Sequence, residues 1–285
     1  MNVGFVVHPA REHAVESAAS LVTWCRGQGL ATRSLDEVDI GAEQRTATDE
    51  FPAGLDLVVS VGGDGTLLRA ALLASRADAP VLGVNVGRLG FLTEVDPSEA
   101  AAALEAFLAG ELEIEERAAL MAETEGTGWE EPQWALNEVI VEKRAPPRMV
   151  TLAAFVGDDE ITTFSADGVI VATATGSTAY SFAARGPIVS PRLDCLLITP
   201  VSPHMVFDRA LVLAPDERVT LEVRGTEPGL LSADGRPARE LPVGCRVHIR
   251  RAEHPARLLR RKGGESFYSL LRWKFSLPSG PPGAT

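Results

Sequence analysis

Apolar residues follow one rhythm in the first third of the chain and another from its middle onward. Val3–Val7 is a short β-rich run, and Glu12–Gln28 carries apolar residues at helical spacing until Gly29 ends it. Leu55–Val61 (LDLVVSV) predicts a buried strand, Thr66–Ser75 a helix, Pro80–Val86 (PVLGVNV) another strand and Ala100–Ala109 another helix. Strands that alternate with helices imply parallel crossovers and a three-layer α/β domain. The texture changes around Glu111–Arg117. From Trp134 on, period-two runs dominate: Ala135–Glu142, Val150–Val156, Gly168–Ala172, Val219–Val223 and Arg246–Arg250. Turn residues separate them (Gly157-Asp158-Asp159, Asp234-Gly235, Pro242-Val243-Gly244), the pattern of a mostly antiparallel second domain. One helix is expected to interrupt it near Ala179–Arg185. The tetrapeptide Ser-Ala-Asp-Gly occurs twice, at Ser165–Gly168 and Ser232–Gly235.

Length and composition leave this picture intact and narrow the partners. A chain of 285 residues with 45% hydrophobic content can fill one large or two moderate cores. A net charge of −12 argues against a surface that gathers nucleic acid or anionic lipid, so neither is an expected partner. It does not forbid a nucleotide pocket, which works through local amide donors and a few cations. Cys25, Cys195 and Cys245 lack CxxC spacing, which disfavours a zinc site or a disulfide framework and fits reduced thiols in a cytoplasm. No basic and apolar leader pattern opens the sequence and no apolar run reaches membrane-spanning length, so a soluble, cytoplasmic protein is expected. The Pro/Gly-rich tail after Leu277 is expected to fray.

Four stretches could carry chemistry. In Gly62-Gly63-Asp64-Gly65-Thr66 a hydrophobic strand runs into glycines just before a helix, so backbone amides can approach an anion where the helix dipole favours it. Thr66 could cap the helix or contact a phosphate. An acid inside a phosphate loop is electrostatically awkward, and therefore informative. Asp64 could hold Mg²⁺, accept a proton or hydrogen bond from an attacking hydroxyl, or do both; alternatively it caps a tight turn. The loop is not a Walker A motif.

Thr173-Ala174-Thr175-Gly176-Ser177-Thr178-Ala179-Tyr180 gathers four hydroxyls at a strand-to-helix junction, suited to ligand contacts or to an elaborate helix cap. Tyr180 could stack on a base or ribose, or pack the helix. Asn137 and Glu138 are polar residues set into a strand. Adjacent strand residues face opposite sides, so the two can reach one ligand only at a strand end or bulge. Asn85-Val86-Gly87-Arg88-Leu89-Gly90-Phe91-Leu92-Thr93 leaves a strand end with an exposed-looking Phe91, where ligands of open α/β sheets lie.

With these blocks in order, the sequence resembles the NAD kinase family, enzymes that phosphorylate the adenosine-ribose 2′-hydroxyl of NAD. GGDGT (62–66), NVGRLGFLT (85–93), LNEVIV (136–141), DGVIVATATGSTAY (167–180) and SPHMVFDRALVL (202–213) carry the resemblance over nearly the whole chain. GGDGT alone is shared with lipid kinases, whereas the TGSTAY block with the Asn-Glu pair is more specific. The resemblance implies a Rossmann-like three-layer α/β domain (1–112 plus about 266–285) and a C-terminal β-rich, sandwich-like domain (113–265) that binds NAD. It implies Asp64 facing the ribose hydroxyls as base or orienting group, with Gly63, Gly65 and Thr66 shaping the phosphate loop. Phe91 lines the NAD site, Asn137 and Glu138 bind the adenosine half, Thr175, Thr178, Ala179 and Tyr180 hold adenine and ribose, and Asp167 meets the nicotinamide end. ATP or polyphosphate is the implied donor, Mg²⁺ arrives through ATP rather than on a protein cluster, and a homodimer or homotetramer is implied.

Two departures stand out. Ala174 replaces a proline usual in the family, and Ala183-Ala184-Arg185-Gly186-Pro187 replaces Ser-Ala-Gly-Gly-Pro. Arg185 therefore stands where glycine is usual, either contacting a phosphate or lying on the helix surface. Two alternatives remain beside the kinase: a binding-only NAD(P) sensor of the same fold, and a lipid kinase, for which no amphipathic or basic docking feature speaks.

Overall fold

The computed structural model describes residues 1–87, 90–129 and 131–277. Arg88 and Leu89 of the Asn85–Thr93 stretch, and the tail beyond Leu277, lie outside the described residues. The chain divides into two units, Met1–Glu116 with the stretch from Ala256 onward, and Arg117–Pro255.

The first unit opens with β1 (Asn2–Val7), α1 (Glu12–Gly27), β2 (Ala31–Leu35), β3 (Gln44–Thr46) and β4 (Leu57–Gly62). It continues through α2 (Asp64–Ser75), β5 (Val81–Asn85), α3 (Ala100–Leu108) and β6 (Glu113–Arg117). In the second unit come β7 (Leu120–Glu125), β8 (Gln133–Ala135), β9 (Glu138–Lys143), β10 (Val150–Val156), β11 (Asp159–Ala166) and β12 (Gly168–Thr173). There follow α4 (Tyr180–Ala183), β13 (Leu196–Val201), β14 (Leu211–Leu213), β15 (Val219–Arg224), β16 (Gly229–Ala233), β17 (Arg239–Leu241) and β18 (Arg246–Arg251). β19 (Ala256–Arg260) and α5 (Phe267–Lys274) return to the first unit.

The first sheet has the order β3-β2-β1-β4-β5-β19-β6, and every pair from β3 to β19 is parallel. Val3, Phe5 and Val7 of β1 and Leu57, Val59 and Val61 of β4 share one face, closed by Ala14, Ala18, Leu21 and Cys25 of α1 and Leu104 of α3. α2 covers the other face. Gly83 of β5 is glycine for that reason, since a Cβ there would stand 2.6 Å from the Leu67 Cδ1 of α2. This is the expected three-layer arrangement, with strands β2, β3 and β6 that the sequence did not announce. The return to the sheet is made by β19, ahead of the Ser266–Leu277 stretch. Arg260 of β19 fixes it with ion pairs to Glu115 at 2.8 Å and Glu94 at 3.1 Å.

In the second unit two antiparallel sheets, β11-β10-β15-β18-β7-β8 and β14-β13-β12-β9-β16-β17, face each other over one apolar core. Val139, Val141, Val169 and Val171 from one sheet meet Leu152, Phe164, Leu221 and Val223 from the other. The outer face of β9 and β12 is buried as well, with Ile140, Ile170 and Ala172 packed against Ala174, Val189 and Leu197. Burial on both faces explains why Val139–Val141 and Val169–Ala172 are apolar without a break, instead of alternating with the expected period of two. The predicted strand Ala135–Glu142 is in fact two: β8 belongs to one sheet and β9 to the other, and the chain crosses between them at Leu136-Asn137. The predicted helix near Ala179–Arg185 is one turn, Tyr180–Ala183, preceded by a 3₁₀ turn at Thr175–Thr178.

All three cysteines are free and buried. Burial pushes the Cys25 thiol up to about 11 and raises those of Cys195 and Cys245. No helix among the described residues is long and apolar enough to cross a membrane.

Phe164 is 1% exposed at the centre of the sandwich. Phe164→Ala is expected to lower the unfolding free energy by about 3–5 kcal/mol, the usual cost of a phenylalanine-sized cavity, measured by urea unfolding.

Candidate active site

Asp64 is the first residue of α2, and Gly63, in an extended conformation, is its N-cap. Thr66 is thus not the cap. Its amide donates to the Gly63 carbonyl at 3.0 Å, and its side chain lies where a Cβ on Gly62 would be. The apolar period of α2 begins only at Leu67, so the polar first turn was invisible to it. The Asp64 carboxylate accepts three successive backbone amides: Phe91 at 2.8 Å on Oδ2, and Leu92 at 3.2 Å and Thr93 at 3.3 Å on Oδ1. A carboxylate offers about four acceptor directions, so among the described residues one remains, on Oδ2. Gly90 is required by this seating, since a Cβ there would stand 1.7 Å from Asp64 Oδ1. Phe91 is half-buried rather than exposed, its ring 6.0 Å from Phe267 and 6.4 Å from Phe275, with Lys274 Nζ 4.8 Å from its centre.

The loop borders a cavity of about 1010 Å³ lined by His8, Arg11, Gly63, Gly65, Arg69 and Lys274, among others. Gly65 has open space where a Cβ would stand. First-turn helix amides lack intrahelical acceptors, so this mouth favours an anion. Among the described residues, three cations share it in different states. Arg69 is held by Glu37 through two contacts of 2.6 and 2.5 Å. Arg11 donates to the Val86 carbonyl at 2.5 Å, lying across Gly63 and Gly87. Lys274 stands over Phe91. His8 Nδ1 is buried and has no partner among the described residues. His8, Arg11 and Lys274 escaped the sequence reading because no motif marks them; the fold brings them to the loop from the end of β1, the start of α1 and α5. Among the described residues no group of three His, Cys, Asp or Glu could hold a metal ion.

The second unit assembles its own polar cluster. The Thr173 hydroxyl donates to the Leu136 carbonyl at 2.7 Å and accepts from the Gly176 amide at 3.1 Å. Gly176 lies against the backbone of Asn137, where a Cβ would stand 2.1 Å from the Asn137 oxygen. The hydroxyl block is therefore pressed onto the Asn-Glu pair. Thr175 is buried and accepts from Arg117 at 3.3 Å, and Thr178 donates to the Thr175 carbonyl at 3.3 Å. Ala179 joins the 3₁₀ turn to α4, and Tyr180 is 41% exposed. Asn137 and Glu138 are buried, 9% and 8% exposed. Asp234 closes the cluster from the turn after β16. Its carboxylate accepts the amides of Leu136 at 2.7 Å, Asn137 at 2.8 Å and Glu138 at 3.1 Å.

Burial, then the charge of Asp234, pushes the Glu138 carboxyl up to about 7, against the opposing effect of the Tyr180 amide bonded to it. Burial likewise raises Asp234, opposed by its three amides and by Arg236. The Tyr180 phenol is raised by burial and by the charges of Glu142, Asp167 and Glu138. Asp167 stands at the other end of β9, ion-paired with Lys143 at 2.5 Å. Arg185 is exposed with φ 67°, the left-handed region where glycine is cheapest, which fits the glycine that the resemblance implies there. Ala174 is helical and buried.

Because folding favours the protonated form of Glu138, its stabilising contribution is complete below the ordinary value of 4.5 and is lost as pH rises toward about 7. Glu138→Gln is therefore expected to gain stability relative to the native chain between pH 5 and pH 8. The gain is about 3 kcal/mol at most, read from unfolding at the two pH values.

The chain matches the ATP-NAD kinase N-terminal domain over residues 3–112 and the ATP-NAD kinase C-terminal domain over residues 136–261. It is 42% identical over 278 residues to the NAD kinase of Heliobacterium modesticaldum, covering 95% of this chain and 97% of that one. It is 38% identical over 272 residues to the NAD kinase of Geobacter sulfurreducens, covering 94% and 95%. Among solved structures, yeast NADH kinase complexed with NADH shares the fold, with a TM-score of 0.87 at 22% identity over 100% of this chain and 90% of that one. An NAD kinase from Archaeoglobus fulgidus in complex with ATP gives 0.77 at 25% identity, covering 98% and 100%. With both halves matched and such identity over nearly its full length, the chain belongs to the NAD kinase family.

Proposed function

We propose that the chain transfers a phosphoryl group from ATP, or from polyphosphate, to the adenosine-ribose 2′-hydroxyl of NAD, giving NADP. The observation that carries this reading is the state of Asp64: a carboxylate fixed by three amides with, among the described residues, one acceptor direction left, at a loop bordering a cation-lined cavity. One remaining acceptor suits one hydroxyl. Asp64 takes the hydroxyl proton or orients it for attack, and its immobility keeps the oxygen in line. Gly63 and Gly65 offer backbone amides, and Thr66 a hydroxyl, to the donor phosphates, and Arg11 and Lys274 add charge. Phe91, held by Phe267 and Phe275, borders the loop on the acceptor side. The donor phosphates would carry the Mg²⁺, which would neutralise their charge when bound.

In the second unit, Asn137 and Glu138 take the adenosine half, with Glu138 accepting from its ribose. Thr175, Thr178, Ala179 and Tyr180 form the adenine and ribose wall, and Asp167, beside Lys143, serves the nicotinamide end. The two units act in this scheme as the phosphate-loop domain and the NAD-binding domain. Self-association to a homodimer or homotetramer belongs to the same proposal. The edge strand β14, with Val212 60% exposed, and the fully exposed Val206 just before it support it. Three free thiols suit a reducing compartment, and the cytoplasm is the one proposed.

The test is turnover of purified protein with NAD, Mg²⁺ and either ATP or polyphosphate, read as NADP formed. Asp64→Asn keeps the size of the side chain and one oxygen that can still accept two of the three amides, and is expected to fold and to lose at least ~2 decades of kcat. Near-normal turnover by that variant would remove Asp64 from the chemistry, and NAD binding without any NADP from either donor would favour a sensor.

A further inference from the structure

We infer that Asp234 is a positioning residue for nucleotide binding: it captures the chain where it passes from one sheet to the other, and so aims Asn137 and Glu138 at one ligand. This rests on the reading of that pair as adenosine-binding.

Regular strand geometry would send two adjacent side chains to opposite faces. Here the alternation is interrupted, because β8 ends at Ala135 in one sheet and β9 begins at Glu138 in the other. A break of that kind leaves consecutive amides without a ladder partner, and buried amides must find an acceptor. Asp234 supplies it for all three, at 2.7, 2.8 and 3.1 Å. The clasp is reciprocal, since the Asp234 amide donates to the Glu138 carbonyl at 3.0 Å.

The turn that presents Asp234 is itself secured. Asp234 and Gly235 both have positive φ, 48° and 68°, the backbone of a primed turn, and Arg236 N donates to the Ala233 carbonyl at 3.1 Å. The Arg236 guanidinium bonds the Ala233 carbonyl at 2.9 Å and the Trp134 carbonyl of β8, tying the turn to the strand before the break. Opposite, Gly176 closes on the Asn137 backbone. Between these two holds Glu138 keeps Oε2 buried and, among the described residues, without a partner, while its carboxylate accepts from the Tyr180 amide. An acceptor left open in a buried cluster is ready for a ligand hydroxyl.

A carboxylate is needed at 234. Three converging N–H groups require an acceptor with several lone pairs, and an asparagine amide would turn an NH₂ toward one of them. Asparagine and glycine both tolerate positive φ, so both variants keep the turn, Asp234→Asn weakening the capture and removing the charge, Asp234→Gly removing the capture altogether.

The experiment measures NAD affinity by calorimetry between pH 5.5 and 8.5, with steady-state kinetics, for full-length native protein, Asp234→Asn, Asp234→Gly, Asn137→Ala and Glu138→Gln. Both Asp234 variants are expected to bind NAD about tenfold or more weakly, raising KM more than they lower kcat. The groups facing Glu138 are the Asp234 carboxylate and the amide and phenol of Tyr180, with Arg236 beside Asp234. Removing the Asp234 charge should therefore move the midpoint of pH-dependent NAD binding to lower pH in Asp234→Asn, a shift that a merely structural role would not produce. Folded Asp234 variants with native affinity and native pH dependence overturn the proposal, while Glu138→Gln and Asn137→Ala still weaken binding. If those two also bind NAD normally, the adenosine reading fails with it. Should neither Asp234 variant fold, hydrogen exchange on the native chain decides: protected amides at Leu136, Asn137 and Glu138 support the capture, and exchange as fast as in an open loop overturns it.

Discussion

Consecutive backbone amides with no strand partner need an acceptor, and each unit of this protein answers with one carboxylate. Asp64 takes the amides of Phe91, Leu92 and Thr93; Asp234 takes those of Leu136, Asn137 and Glu138. Hydrogen bonds to a charged acceptor are stronger than neutral ones, so both backbones are held more firmly than ordinary loops. The polar residues beside them inherit that rigidity. Preorganisation of this kind is what phosphoryl transfer needs, because the protein contributes position and charge more than bond-making.

β9 is the element on which the second unit's cluster hangs. Buried on both faces, it has Val139 and Val141 in the sandwich core and Ile140 under the hydroxyl block. The two Ser-Ala-Asp-Gly copies grip its two ends: Asp234 holds the amides around Glu138, and Asp167 pairs with Lys143. An echo that carried no meaning in the sequence thus places the same residue at both ends of one strand.

The fold class was legible because it rests on period. Leu57–Gly62 and Gly168–Thr173 are buried throughout and mostly apolar, and α1 shows its buried stripe at Ala14, Ala18, Leu21 and Cys25. What period cannot show is where a strand changes sheets. Ala135–Glu142 reads as one run because both halves are buried, and only pairing separates β8 from β9. Short polar strands such as Gln44–Thr46 carry no signal at all. At the phosphate loop the motif was visible, but the occupation of Asp64 was not, since its partners lie on a loop 27 to 29 residues away. Asp234 was visible only as a turn residue; its meaning depends on amides 96 to 98 positions earlier. Arg185 was flagged by its departure from a glycine, and its positive φ fits the glycine that the resemblance implies.

The buried thiols lead in a different direction. Only a thiolate reacts at useful rates, and burial here both suppresses the thiolate and bars the reagent. Cys25 sits where α1 meets the first sheet, Cys195 behind the hydroxyl block, and Cys245 with its sulfur on the Gly126 carbonyl at the head of β18. Each is silent while its neighbourhood stays packed and speaks when that neighbourhood opens. The chain therefore carries native alkylation clocks, one in the first unit and two in the second, able to time their separate breathing without any added label.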